Sequence, residues 1–158
     1  MLQHQLGETL MIGVQNSGRA QYILANEPQH PDRLLASSGM MRSLLRSAVG
    51  RALLALKSDT EIAGWVRRCN AEAASPDQIV PPSAFAETIR LTRERGYAET
   101  AGDVTPGFGT IAVTFASPMD SSPMAVACGM PLASLEEKKE MTVEALKCFA
   151  EAYPFPSA

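Results

Sequence analysis

The chain has 158 residues, 46% of them apolar and 20% charged, and 14 Lys and Arg against 17 Asp and Glu leave a formal net charge of −3. A chain of this length buries roughly two-thirds of its unfolded surface around one core without disulfides or metals, and its mild acidity excludes general attraction to phosphate backbones or anionic lipid. Three scattered cysteines, Cys69, Cys128 and Cys148, form no C-x-x-C pair and suit a reducing cytoplasm, while no apolar run approaches the roughly 18 residues of a membrane span.

In chain order, "ETLMIGVQ" and "RAQYILAN" flank "NSG" at Asn16 to Gly18, so Glu8 to Asn26 is predicted to be a β-hairpin with Gly18 supplying a positive φ. The two prolines of "EPQHPD" make Glu27 to Asp32 a loop, and "RLLASS", Arg33 to Ser38, is predicted as a third strand. "GMMRSLLRSAVGRALLA", Gly39 to Ala55, is compatible with a basic nucleic-acid helix, a membrane-seeking helix or the wall of a pocket. Within it, Ala48, Val49, Ala52, Leu53 and Leu56 recur at helical spacing behind a Ser47 N-cap.

"SDTE", Ser58 to Glu61, is a capping box that opens a helix ending near Arg68 or Cys69. After the loop "SPDQIVPPS", Ser83 is expected to cap a helix with Phe85, Ile89 and Leu91 inward and Gly96 at its end. "YAET", "FGTIAVTFAS" and "SPMAVACGM" alternate as strands, the last two joined through "MDSSP". A second capping box, "SLEE" at Ser134 to Glu137, opens a terminal helix that aligns Val143, Leu146, Phe149, Ala150 and Tyr153 before Pro154 and Pro156 stop it. Clustered strands and helices of this order indicate an α+β fold with a mostly antiparallel sheet.

Signs of catalytic chemistry are sparse. His4 and His30 stand beside neither a G-x-S-x-G elbow nor a cysteine motif, and the histidines and cysteines have no zinc-ligand spacing. "PGFG", Pro106 to Gly109, lacks the spacing of a nucleotide loop and reads as a turn. Arg42, Arg46 and Arg51, like Arg90, Arg93 and Arg95, lack interleaved aromatics and read as solvated faces or subunit contacts. Cys128 alternates to the opposite face from Ala127 and Gly129, where core packing is the simple reading and a thiol-dependent enzyme the competing one.

The order of four motifs resembles the C-terminal effector-binding domain of the IclR-type bacterial transcription regulators. After a strand opened by "GET", the four are "SSGMMRSLLRSAVGRALLA", which parallels S-x-x-G-x-x-x-P-L-H-A-T-A-x-G-K-A-L-L-A, then "RERGYAE", "GDVTPGFGTIA" and "ACGMP" in family order. The resemblance implies a GAF-like domain: a curved, mostly antiparallel sheet flanked by helices, with helices on one side and a small-molecule pocket on the other. It also implies a homodimer or homotetramer, no cofactor, no membrane association, and DNA contact only through an N-terminal winged helix-turn-helix absent from this chain. Residues 1–6 would then be the stub of the linker helix and residues 7–158 the sensing domain, in a cytoplasmic regulator.

Carried onto this sequence, the family's effector contacts fall on Ala48 and Val49, on Thr100 and Asp103, on Thr110, and on Ala127 and Gly129. Ser47 caps the helix, and the amides of Ala48, Val49 and Gly50 lack intrahelical partners, an arrangement suited to a carboxylate. The family's proline and histidine are Ser43 and Leu45 here, its two serines are Ala127 and Gly129, and Met40 and Met41 occupy the approach to the helix. Those exchanges suggest an effector larger and more apolar than a small oxo-acid; alternatively both methionines only pack the core or a subunit interface. The competing functions are a thiol-dependent enzyme on a GAF-like scaffold and an oligomerisation module without a ligand.

Overall fold

The apolar alternation of the chain assembles into one fully antiparallel six-stranded sheet, curled into a half-barrel. The computed structural model describes residues 2–157, the side chains of Gln3 and His4 excepted. The elements are α1 (Leu2–Leu6), β1 (Thr9–Asn16), β2 (Arg19–Asn26), β3 (Met41–Ser43), α2 (Ala48–Leu54), α3 (Asp59–Ala71), α4 (Pro82–Arg95), β4 (Ala98–Ala101), β5 (Phe108–Ala116), β6 (Pro123–Pro131) and α5 (Leu132–Glu151). Strand order is β3-β2-β1-β6-β5-β4, which places the first and last long strands side by side at the centre.

Both faces of the sheet are covered, so the expected division into a helical side and a pocket side does not hold. On one face α5 packs Leu135, Ala145 and Leu146 against Ile111, Val113, Cys128 and Met130. Phe149 meets Phe115 edge-on with ring centroids 5.3 Å apart. On the other face Ala48, Val49, Ala52 and Leu53 of α2 lie against Met11, Ala112, Ala125 and Ala127. Side chains paired across an antiparallel ladder share a face, and the cross-strand row Ala98, Ala112, Ala127, Met11, Ala25 is small almost throughout. Such a floor lets a helix approach closely.

Glycines tighten that approach. A Cβ on Gly13 would stand 2.7 Å from Val49 Cγ1, and one on Gly50 would overlap the carbonyl oxygen of Leu44. The turn before α2 therefore folds back onto the helix itself. Ser47 fixes it as its predicted cap: Oγ accepts from the Gly50 amide at 3.1 Å and donates to the Ser43 carbonyl at 2.6 Å. At the other end of the sheet, Glu8 is buried, with Lys138 Nζ 2.9 Å from its Oε2 and His30 Nε2 3.4 Å from its Oε1. That ion pair ties the start of β1 to α5.

Several local expectations change. In the first hairpin the positive φ of 52° belongs to Ser17, whose hydroxyl takes a hydrogen bond from Arg68, and not to Gly18. "RLLASS" is not a strand, because the free edge of β2 is already filled by Gly39 to Ser43, which bond Tyr22 and pair with Arg19 to Gln21. The α3 capping box forms as read and the helix continues to Ala71. Helix α4 starts at Pro82 behind Pro81 with no side-chain cap from Ser83, proline at the first position having no amide to satisfy; Leu91 is exposed and Thr92 takes the inward place. Gly96 does end it, at φ 81°.

The second capping box, by contrast with the first, does not form. Strand β6 runs straight into α5 at Pro131, and the first amide, Leu132 N–H, donates to the Gly107 carbonyl instead. Gly50→Ala is expected to lower the unfolding free energy by about 3 kcal/mol, the upper end of overpacking costs, because backbone and not a flexible side chain must yield. Urea denaturation of the variant against the wild type measures it.

Candidate functional site

Two rows of side chains on the α2 face differ in kind. Beside the alanine row runs a second, Thr100, Thr110, Gly129, Thr9, each residue paired with the next across β4, β5, β6 and β1. Between this row and the start of α2 lies a small, partly open cavity of about 20 Å³. Its polar wall is Tyr22, Arg42, Ser47, Thr100, Thr105 and Thr110; Leu34, Ala48, Val104 and Phe108 complete it. Residues widely separated in sequence converge here because β3 and α2 bring Arg42, Ser47 and Ala48 over the threonines of β4 and β5.

The loop from Gly102 to Gly107 forms one side. Its two ends require the left-handed backbone, φ 78° at Gly102 and 85° at Gly107. Asp103 holds it: Oδ1 accepts from the Ala101 amide at 2.7 Å, Oδ2 from Arg51 at 3.3 Å, and the Asp103 carbonyl from Arg46 at 2.8 Å. Arg51 also donates to the Leu45 carbonyl at 2.9 Å. Burial pulls its guanidinium below the ordinary value, with Asp103 opposing. Arg46 and Arg51 thus clamp this loop.

Arg42 behaves differently. Its guanidinium lies over the Tyr22 ring, 5.9 Å from the centroid. Burial raises the Tyr22 phenol, with Arg42 opposing, so the hydroxyl remains a donor at neutral pH.

Of the residues singled out from sequence, Ser47, Ala48, Thr100 and Thr110 line this cavity. Asp103 lies behind the wall, with both carboxylate oxygens engaged as described. Val49 and Ala127 are core, and Gly129 is the floor under Leu34, whose Cδ2 a Cβ at Gly129 would overlap. The Gly50 amide, expected to be available to a carboxylate, is taken by Ser47 Oγ. Leu45 packs with Leu44, Ile62 and Phe85. Met40 is partly buried against the α2-side core and Met41 is exposed on the edge strand, neither on the cavity wall. Sequence reading missed Tyr22, Leu34, Arg42, Val104, Thr105 and Phe108 as wall residues. Only "PGFG" carried a local hint, as the turn that delivers Phe108.

Elsewhere, an open groove of about 620 Å³ runs between α3 and α4 over Ile62, Val66, Phe85 and Ile89. Among the described residues no group of three His, Cys, Asp or Glu side chains could hold a metal, and no helix is long and apolar enough to cross a membrane.

These features meet a consistent set of relatives. The family described as "Bacterial transcriptional regulator IclR C-terminal" matches residues 1–153. The chain belongs to the IclR family, as its C-terminal domain. It is 28% identical over 106 residues to the HTH-type transcriptional regulator BhcR of Paracoccus denitrificans, covering 67% of this chain and 38% of that protein. It is 25% identical over 133 residues to the HTH-type transcriptional repressor AllR of Salmonella typhimurium, covering 84% and 49%. The chain therefore spans less than half the length of these curated relatives. Among solved structures, an IclR effector domain from Acinetobacter superposes with TM-score 0.85 at 26% identity, covering 96% of this chain and 88% of that one. The Thermotoga maritima IclR protein shares the fold, with TM-score 0.82 at 22% identity and coverage of 95% and 61%.

For this IclR domain the thiol-enzyme reading meets an obstacle. Cys128 is fully buried under α5, and burial, reinforced by Glu8 and opposed by Lys138, pushes its thiol up to about 12. A protonated, enclosed thiol is a poor nucleophile. The sign for stability follows: an unfolded cysteine loses its proton near 9.0 while the folded one does not. Its contribution is intact below pH 9 and fades as pH climbs toward 12. Urea midpoints of Cys128→Ala are expected to fall less steeply than those of the wild type across that alkaline range.

Proposed function

We propose that this domain senses a compact carboxylate at the cavity beneath α2 and, as part of a cytoplasmic homodimeric or homotetrameric regulator, passes that signal to a DNA-binding domain preceding α1. The observation that carries the reading is the convergence of Arg42 with Ser47, Thr100, Thr105 and Thr110 on one small cavity. One cation and the hydroxyls of Thr100, Thr105 and Thr110 beside apolar side chains suit a small anion in need of orienting donors. Affinity differences of the effector between two subunit arrangements would then be the coupling free energy that alters operator binding.

The wall composition favours a smaller, more polar acid than the one suggested by Met40 and Met41, since neither methionine reaches the cavity. One observation supports the ligand-free oligomerisation module instead: about 20 Å³ holds little more than a single water. A panel running from pyruvate through benzoate to octanoate separates these readings. Pyruvate is expected to raise the melting temperature most, as linkage requires of a ligand that binds only the folded state. Arg42→Gln is expected to weaken its binding by about ten- to a hundredfold, the worth of a charge-assisted hydrogen bond. A larger response to benzoate or octanoate would restore the bulky apolar effector, and no response to any acid would favour the module.

A further inference from the structure

One wall of the cavity is a side chain from an irregular segment. Leu34 belongs to the segment 33–38, which forms no strand. Its buried side chain lies on Gly129, in the place where the threonine row lacks a side chain. The spot where a Gly129 Cβ would stand is 3.3 Å from Thr110 Oγ1 and 3.3 Å from Met11 Cε, and Leu34 Cδ2 fills it. An acid set against Thr110 and Arg42 meets this methyl group.

The segment is held mostly by side chains, with one backbone bond from the Met40 amide to the Ser37 carbonyl at 3.2 Å. The Leu34 carbonyl accepts from Thr9 Oγ1 at 2.7 Å, the Ala36 amide donates to Glu27 Oε2 at 2.8 Å, and Arg33 binds Glu27 Oε1 at 3.2 Å. The neighbouring Leu35 is exposed. Few bonds therefore have to break for Leu34 to leave, whereas Ala127 and Ala112 of the adjacent row are fixed in ladders on both sides.

We infer that Leu34 is an internal plug: its isobutyl group occupies the effector site, and the effector binds by taking its place. Leu34 then sets both the affinity and the bulk of the acid accepted, because a site open for only a fraction of the time binds more weakly by that fraction. The inference rests on the carboxylate-sensing reading, yet the two can fail separately.

Isovalerate, the leucine side chain carrying a carboxylate, is the probe, with 3-methylbutan-1-ol as its neutral counterpart. By calorimetry Leu34→Ala is expected to bind isovalerate at least about tenfold more tightly than the wild type, with Leu34→Val between them. In the wild type, nuclear Overhauser contacts between the Leu34 methyls and Gly129 are expected to vanish as isovalerate saturates. Equal affinity in wild type and variants, no binding by either variant, or contacts that survive saturation would overturn the plug. If the variants gain equally for the alcohol, and bind it as well as the acid, the plug stands and carboxylate recognition falls. Should Leu34→Ala not fold, Leu34→Val and the wild-type contacts decide.

Discussion

The close seating of α2 on the sheet is the constraint on which the rest of the molecule depends. Two packed helices keep about eight to ten ångströms apart by virtue of their side chains, and here most side chains between helix and sheet are small on both partners. Ala48, Val49 and Ala52 face Ala112, Ala125 and Ala127. Gly13 gives Val49 room, and Gly50 lets the Leu44 turn fold back over the helix. Such packing carries its energy in many shallow dispersion contacts, which are lost when the separation grows by even part of an ångström.

That seating defines what the second row of the sheet can become. Where the alanine row meets α2 the interior is closed. One register step along, Thr100, Thr110, Gly129 and Thr9 lie beyond the first turn of the helix, and the space above them has to be walled by loops. The Gly102–Gly107 loop supplies Val104 and Thr105, and the segment after Glu27 supplies Leu34. The first wall is clamped through Arg46, Arg51 and Asp103, and the second is pinned by Thr9 and Glu27.

The opposite face has no comparable space. Along β5 and β6 the residues facing α5 are large, Ile111, Val113, Phe115, Val126 and Met130, and they interlock with Leu135, Leu146 and Phe149. Cys128 is one more packed side chain in that layer. The two sides of one strand therefore have separate tasks: Cys128 and Met130 bind the sheet to α5, while Ala127 and Gly129 keep the α2 side open enough for a helix and a cavity.

What the sequence by itself determined is whatever local chemistry can specify. Period-two runs marked β1, β2, β5 and β6, Ser47 and the Ser58–Glu61 box marked the starts of α2 and α3, and Gly96 the end of α4. Four ordered motifs marked the family, and with it the antiparallel α+β fold. The tertiary structure decided the features that depend on non-local competition. "RLLASS" has strand composition, yet β2 had one free edge and Gly39 to Ser43 filled it. The amide at the start of α5 was met by Gly107 from another element, so its capping box stayed unused. Arg46 and Arg51 read as solvated because Asp103, whose carbonyl and carboxylate they bind, is more than fifty residues away. Leu34 and Arg42 entered the cavity for the same reason: which side chain fills a space is set by the elements that surround it, and no short window of sequence contains them.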